Sequence, residues 1–295
     1  MSAMRATIGG LERSRSSQLR KAIYLLPNLL TLANMVLGVL SIAFAINDSL
    51  NVSLFGENKM VPFIWPARLI LIAAFLDFMD GFVARATGTT SKFGMEFDSM
   101  ADLVSFGMAP AFLIYLSVLK YMNVGATSVP ILGISIMVLY VVCAAARLAR
   151  FNVQAQIEER DHFVGLPSPA AAGFLASYVL LSHWRGWYGK EIISLFMDLF
   201  EKNLKYIELG IIPALTILVA LVMVSNIPYA SLKKWRKETI SPATLGIIAV
   251  LLTSLIYAAE ITLFLFLTAY LLWGILRALT KKSFEKIRPK KHQAA

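Results

Sequence analysis

The stretch that decides how this chain folds runs from Asp77 to Asp102 and reads DFMDGFVARATGTTSKFGMEFDSMAD. Four aspartates stand at the seam between two apolar segments: Asp77 and Asp80 at the end of one, Asp98 and Asp102 at the start of the next. The i,i+3 and i,i+4 spacings put each pair on one face of a helix. If those helices are neighbours, all four carboxylates converge. At a bilayer, bare carboxylates repel one another and resist dehydration, so cations or protons must neutralise them. An all-oxygen ligand set suits a hard divalent ion: magnesium or manganese, with calcium a further candidate. Gly81, Gly88 and Gly94 allow tight turns and close approach of backbone to a ligand. Arg85 and Lys92 add charge suited to phosphate.

Outward from this stretch the composition is that of a membrane protein. Of 295 residues, 58% are hydrophobic and 16% charged, and the mean hydropathy is +0.67. Soluble domains carry about 25% charged residues. The net charge of +10 does not point to nucleic acid, because the basic residues cluster beside apolar segments, where an anionic membrane surface attracts them. The single cysteine, Cys143, rules out an intrachain disulfide framework and lies in an apolar run as a small packing residue. His162, His183 and His292 are scattered and form no metal motif.

The expected fold is an all-α bundle of about eight transmembrane helices, each needing roughly 20 apolar residues. The spans fall near 22–46, 63–86, 99–120, 128–150, 168–184, 207–227, 241–259 and 261–279. Only Glu260 and its neighbours part the last two. Residues 1–21 form a basic arm, 22–237 a core of six spans, 238–280 an added hairpin and 281–295 a basic tail. Arg85 and Lys92, then Arg147, Arg150 and Arg160, then Lys233, Lys234, Arg236 and Lys237 fall in alternate loops. That alternation puts both termini and the aspartates on the cytoplasmic side. Segment 185–206, with its EIISLFMDLF run, reads as an amphipathic helix on the outer surface.

The spacing Asp77-x2-Asp80-Gly81-x2-Ala84-Arg85-x8-Gly94-x3-Asp98-x3-Asp102 resembles the full signature of the CDP-alcohol phosphotransferase family. That family joins an alcohol to a phosphoryl group carried on a CDP-activated donor and releases CMP. The resemblance implies two divalent cations held by Asp77, Asp80, Asp98 and Asp102, with Asp102 as the base that takes the hydroxyl proton. It implies a CDP site containing Asp77, Gly81, Ala84, Arg85 and Gly94, with Gly81 near the nucleotide and Arg85 on the pyrophosphate. A similar Pro-Asn-x-x-Thr element lines that pocket, which adds Asn28 and Thr31. From the residues alone, Asn28 and Thr31 share a helix face and equally suit capping or interhelical hydrogen bonding. A homodimer is also implied by the resemblance.

For the acceptor, the run from Asp98 through Ser105 to Pro110, together with RLARFN (147–152), FVGLPSP (163–169) and SNIPY (225–229), resembles the phosphatidylserine synthase branch. That implies CDP-diacylglycerol and L-serine as substrates, phosphatidylserine and CMP as products, and a bacterial or archaeal cytoplasmic membrane. Arg147 and Arg150, at i,i+3, are candidates to grip the serine carboxylate or a lipid phosphate; equally, arginines at a span's end snorkel to headgroups. Ser105 and Asn152 are candidates for the ammonium or hydroxyl, and Lys92 for a substrate phosphate or a plain inner-loop charge. The Gly165-Leu-Pro-Ser-Pro run breaks helix before the fifth span. Two alternatives stay open: the same chemistry with glycerol 3-phosphate or inositol 3-phosphate, and a divalent-cation transporter, since intramembrane aspartates mark ion paths.

Overall fold

A computed structural model describes residues 27–47, 63–88, 91–122, 131–155, 163–188, 210–229 and 259–287. The described residues are almost wholly helical: α1 (Pro27–Ile46), α2 (Ile64–Thr87), α3 (Lys92–Asp102), α4 (Ala109–Ser117), α5 (Ile131–Ala155), α6 (Ser168–Tyr188), α7 (Gly210–Val224) and α8 (Ala259–Ile287). Four stretches are long and apolar enough to cross a bilayer, Pro27–Ile46, Lys92–Ser117, Ile131–Gln154 and Ala259–Ala278, and shorter apolar helices cover Ser168–Ser182 and Gly210–Val224. The chain is an all-α, multi-pass membrane protein. The seventh expected span up to residue 258, the EIISLFMDLF segment and the two basic ends 1–21 and 288–295 lie outside the described residues.

The third span begins earlier than its apolar run predicts. Helix α3 starts at Lys92, where the Ser91 hydroxyl accepts from the Gly94 N–H at 2.9 Å, a helix cap that polar sequence upstream of the apolar run conceals. Between α3 and α4, Leu103–Met108 forms a π-helical turn. Its cause lies just beyond it. Pro110 has no N–H to give the Phe106 carbonyl, and that carbonyl instead accepts from the buried Tyr140 hydroxyl at 3.2 Å. The Ala109 N–H reaches back to the Val104 carbonyl, five residues away. Such wide turns are common at functional sites because they re-aim one helix face, and this one starts directly after Asp102.

Helix α6 is the central post. Its Ala171, Ala172, Leu175, Ala176 and Val179 are almost fully buried, and it packs on α2 and α8. Small residues let helices approach closely in a membrane, where packing rather than water exclusion drives association. A two-residue antiparallel pair, β1 (Phe163–Val164) with β2 (Pro228–Tyr229), ties the segment before α6 to the segment after α7. Gly165 follows with φ +86, and a Cβ there would lie 2.3 Å from the Met223 carbonyl oxygen. Its N–H donates to the Ile227 carbonyl at 2.9 Å. Only glycine meets both demands.

Candidate active site

Helices α1, α2, α3 and α5 bring the chemistry-bearing residues together. One carboxylate oxygen from each of Asp77, Asp98 and Asp102 lies within 4.8 Å of the others. Asp80, one turn beyond Asp77, is buried and accepts from the Thr31 hydroxyl at 2.8 Å. That hydroxyl also lies 3.1 Å from the Pro27 carbonyl; its single proton serves one acceptor at a time, and the charged, nearer carboxylate is the stronger. Three ionised carboxylates at this spacing repel by at least about 3 kcal/mol per pair at an effective dielectric near 20. Arg147 lies within electrostatic reach of Asp102 and Asp77, but one guanidinium does not offset three carboxylates. Asp98 Oδ1 is buried with no hydrogen-bond partner among the described residues. A buried, unpaired carboxylate oxygen in an all-oxygen cluster is the donor set a hard divalent cation requires.

Beside the cluster opens a cavity of about 160 Å³, lined by Pro27, Asn28, Thr31, Asp80, Gly81, Ala84, Ser91, Gly94, Met95 and Asp98. Five residues expected around CDP stand in this wall: Asn28, Thr31, Gly81, Ala84 and Gly94. A Cβ on Gly94 would meet Asn28 Oδ1 at 3.3 Å and Ser91 Oγ at 3.1 Å, so glycine keeps this wall open. Arg85 lies in the last turn of α2.

The acceptor candidates divide. Arg147 points into the bundle: its Nη1 donates to the Ser168 hydroxyl, and its buried Nε has no partner among the described residues. Arg150 is committed elsewhere, donating to the Val224 carbonyl at 2.9 Å, Asn226 Oδ1 at 3.1 Å and the Ser225 carbonyl at 3.2 Å. It fastens the loop after α7. Asn152 pairs with Ser99 at 2.9–3.1 Å, bracing α3 on α5 beside Asp98. Ser105 is fully buried and donates to the Asn34 carbonyl at 2.8 Å. Lys92 is exposed at the start of α3.

Sequence reasoning passed over Asn34. It is fully buried, and its amide donates to Asp102 Oδ1 at 3.3 Å. The signal was present: Asn28, Thr31 and Asn34 follow one another at i,i+3, and Gly38 and Ser41 continue the buried face. Ser91 and Ser168 were also passed over, both at helix starts where serine reads as a cap.

Comparison with known proteins agrees with this geometry. Residues 24–202 match the family described as CDP-alcohol phosphatidyltransferase. The chain is 34% identical over 258 residues to a CDP-diacylglycerol–serine O-phosphatidyltransferase of Helicobacter pylori strain J99, covering 86% of this chain and 91% of the relative. It is 36% identical over 182 residues to the like-named protein of Mycobacterium leprae, covering 57% of this chain and 52% of that one. An archaetidylserine synthase of Methanothermobacter thermautotrophicus is 36% identical over 157 residues, 52% of this chain and 58% of its own. The aspartate spacing, the cavity beside it and these matches agree: the chain belongs to the CDP-alcohol phosphatidyltransferase family and is a membrane transferase of phospholipid synthesis, not the ion pathway that intramembrane aspartates also suggest.

Proposed function

We propose that this enzyme transfers the phosphatidyl group of CDP-diacylglycerol to the hydroxyl of L-serine, giving phosphatidylserine and CMP. The observation that carries the reading is the convergence of Asp77, Asp98 and Asp102 beside a glycine-walled cavity, in a chain whose relatives are named for the serine reaction. Asp77, Asp80, Asp98 and Asp102 are the residues that would hold two divalent cations, magnesium or manganese. Such ions, when bound, neutralise phosphate oxygens and the charge that builds on the attacking and leaving groups.

The chain's own residues do the rest. Asn28, Thr31, Gly81, Ala84, Arg85 and Gly94 receive the CDP end, with Arg85 for the pyrophosphate. Thr31 orients Asp80 through its 2.8 Å hydrogen bond. Asn34 holds one oxygen of Asp102 and leaves the other for the serine hydroxyl proton. The hydroxyl oxygen bonds to the lipid-bearing phosphorus as the bond from that phosphorus to the CMP oxygen breaks. Arg147, inside the bundle and not fully hydrogen-bonded, is suited to the serine carboxylate; it is the better candidate of the two arginines because Arg150 is occupied by the loop after α7. Ser105 and Asn152 support the site by fixing α1 and α5 to the α3–π segment, and Lys92 supplies charge at its mouth.

In this reading residues 22–237 are the catalytic core and 238–280 an added hairpin. Both termini and the site face the cytoplasm, where serine and CMP are soluble. The enzyme works as a homodimer, as the family resemblance implies. The test is conversion of labelled serine to labelled phosphatidylserine by the purified enzyme in lipid vesicles holding CDP-diacylglycerol. Label entering the lipid in wild type and not in Asp102→Asn is the expected result. Label that stays in the aqueous phase while glycerol 3-phosphate is incorporated would replace the acceptor.

A further inference from the structure

The π turn that follows Asp102 is held from two sides. On one side stands α1: the Ser105 hydroxyl donates to the Asn34 carbonyl at 2.8 Å, and a Cβ on Gly38 would lie 2.8 Å from Ser105 Cα. On the other stands α5, where Tyr140, Ala144 and Arg147 recur at i, i+4 and i+7 on one face. Ala144 lies so near that a Cβ on Gly107 would meet its own Cβ at 3.4 Å. Tyr140 is fully buried, and its hydroxyl donates to the Phe106 carbonyl at 3.2 Å.

That hydrogen bond bears on which kind of turn forms. Phe106 is fully buried, and in an α-helix its carbonyl would accept from residue 110, which is proline. A buried carbonyl without a partner is costly. Tyr140 supplies the missing donor from another helix. The backbone is then free to open by one residue, and the Ala109 N–H reaches the Val104 carbonyl. A π turn carries one residue more than an α turn. Helix α4 is anchored by Ala109, Leu113 and Ile114, all fully buried. Relative to α4, the turn sets α3 about 100° round its axis from where an unbroken α-helix would leave it. Asp98 and Asp102 lie on α3, so the direction in which they meet Asp77 follows from the turn.

We infer that Tyr140 is a positioning residue: by holding the Phe106 carbonyl it keeps the π turn open, and the open turn aims Asp98 and Asp102 at Asp77. Tyr140 is not among the residues that line the cavity; it acts through the backbone of residues 102–109. The inference rests on the reading above that these aspartates hold the divalent cations.

The experiment compares Tyr140→Phe, Pro110→Ala and the two changes combined, in the full chain in detergent. The readouts are the thermal midpoint, CMP release with the acceptor that wild type uses, and manganese binding followed by electron paramagnetic resonance. Tyr140→Phe keeps the ring and strips the Phe106 carbonyl of its donor. Its midpoint is expected to fall, with turnover and manganese affinity each reduced by about tenfold to 100-fold, the scale for lost support of a metal ligand. Pro110→Ala alone leaves Tyr140 in place and is expected to stay close to wild type. In the combined variant, the N–H gained at position 110 completes an α turn at Phe106. Stability is expected to return while turnover and manganese affinity stay low, because the turn has closed. Recovery of turnover and manganese affinity along with the midpoint would mean that Tyr140 only stabilises the fold, and would overturn the inference. Wild-type turnover and manganese affinity in Tyr140→Phe, or a loss in Pro110→Ala as large as in the combined variant, would do the same. Asp98→Asn and Asp102→Asn, run alongside, test the underlying reading separately. Wild-type manganese binding and turnover in both would overturn that reading and the inference with it; losses in both, with no loss in Tyr140→Phe, would overturn the inference alone.

Discussion

Replacing Gly38 by alanine tests how closely α1 must lie against the catalytic segment. A Cβ on Gly38 would stand 2.5 Å from Ser105 Oγ and 2.8 Å from Ser105 Cα. The hydroxyl can rotate aside, but the Cα cannot. Restoring ordinary contact, at 3.4 Å or more, separates the two segments by about 0.6 Å. Gly38 lies one turn from Asn34, which donates to Asp102 at 3.3 Å and accepts from Ser105 at 2.8 Å. A further 0.6 Å takes the first of these beyond hydrogen-bond range. A misplacement of about 1 Å costs about 100-fold in rate, so a loss of about tenfold to 100-fold in kcat is expected. Alanine favours a helix interior over glycine by about 0.5–1 kcal/mol, so thermal stability should change little while turnover falls. The assay is CMP release beside a thermal melt in the same detergent. Wild-type kcat in Gly38→Ala would refute the claim that this contact sets the position of Asp102.

Three further outcomes are expected. Asp98→Asn removes a buried carboxylate from the cluster, and manganese binding, followed by electron paramagnetic resonance, should weaken by at least about tenfold; unchanged binding would place the ion elsewhere. Thr31→Val keeps shape and deletes the hydrogen bond to Asp80, whose charge-assisted strength of about 1.5–3 kcal/mol corresponds to about a tenfold to 100-fold loss in kcat/KM for CDP-diacylglycerol, and no loss would remove Thr31 from the site. Gly165→Ala forces a side chain into positive φ and into the Met223 carbonyl, at about 1–2 kcal/mol for the backbone alone. A clear drop in the melting midpoint is expected, and an unshifted midpoint would contradict the tight seat of Gly165 against the Met223 carbonyl.

The sequence made the skeleton of this protein readable because two signals in it are local. Apolar runs mark spans, and the aspartates sit at helical spacings, so α1, α2, α5 and α6 fall close to where hydropathy places them. Helix α3 starts at Lys92 instead of near 99 because its first two turns are amphipathic and carry Lys92 and Glu96, which hydropathy counts against a span. What stayed illegible depends on partners far along the chain. Nothing in RLARFN tells that Arg147 turns inward to Ser168 while Arg150 fastens residues 224–226. Both were read as equivalent cations at a helix end, where snorkelling is the ordinary outcome. The two-residue β pair and the seat of Tyr229 on Gly274 carry too few residues to leave a pattern. Pro110 carries no local sign that its missing N–H frees the carbonyl that Tyr140 takes up. The seating of the last helix was hidden for the same reason: its contacts are with residues 40 to 90 positions earlier.

The most direct test of the central claim is CMP release by the purified enzyme in detergent, with CDP-diacylglycerol, magnesium or manganese, and one acceptor at a time. Asp102→Asn and a chelator serve as controls. Release that depends on serine and is abolished by both controls is the predicted result. Release that depends only on glycerol 3-phosphate or inositol 3-phosphate, or that survives Asp102→Asn, would contradict it.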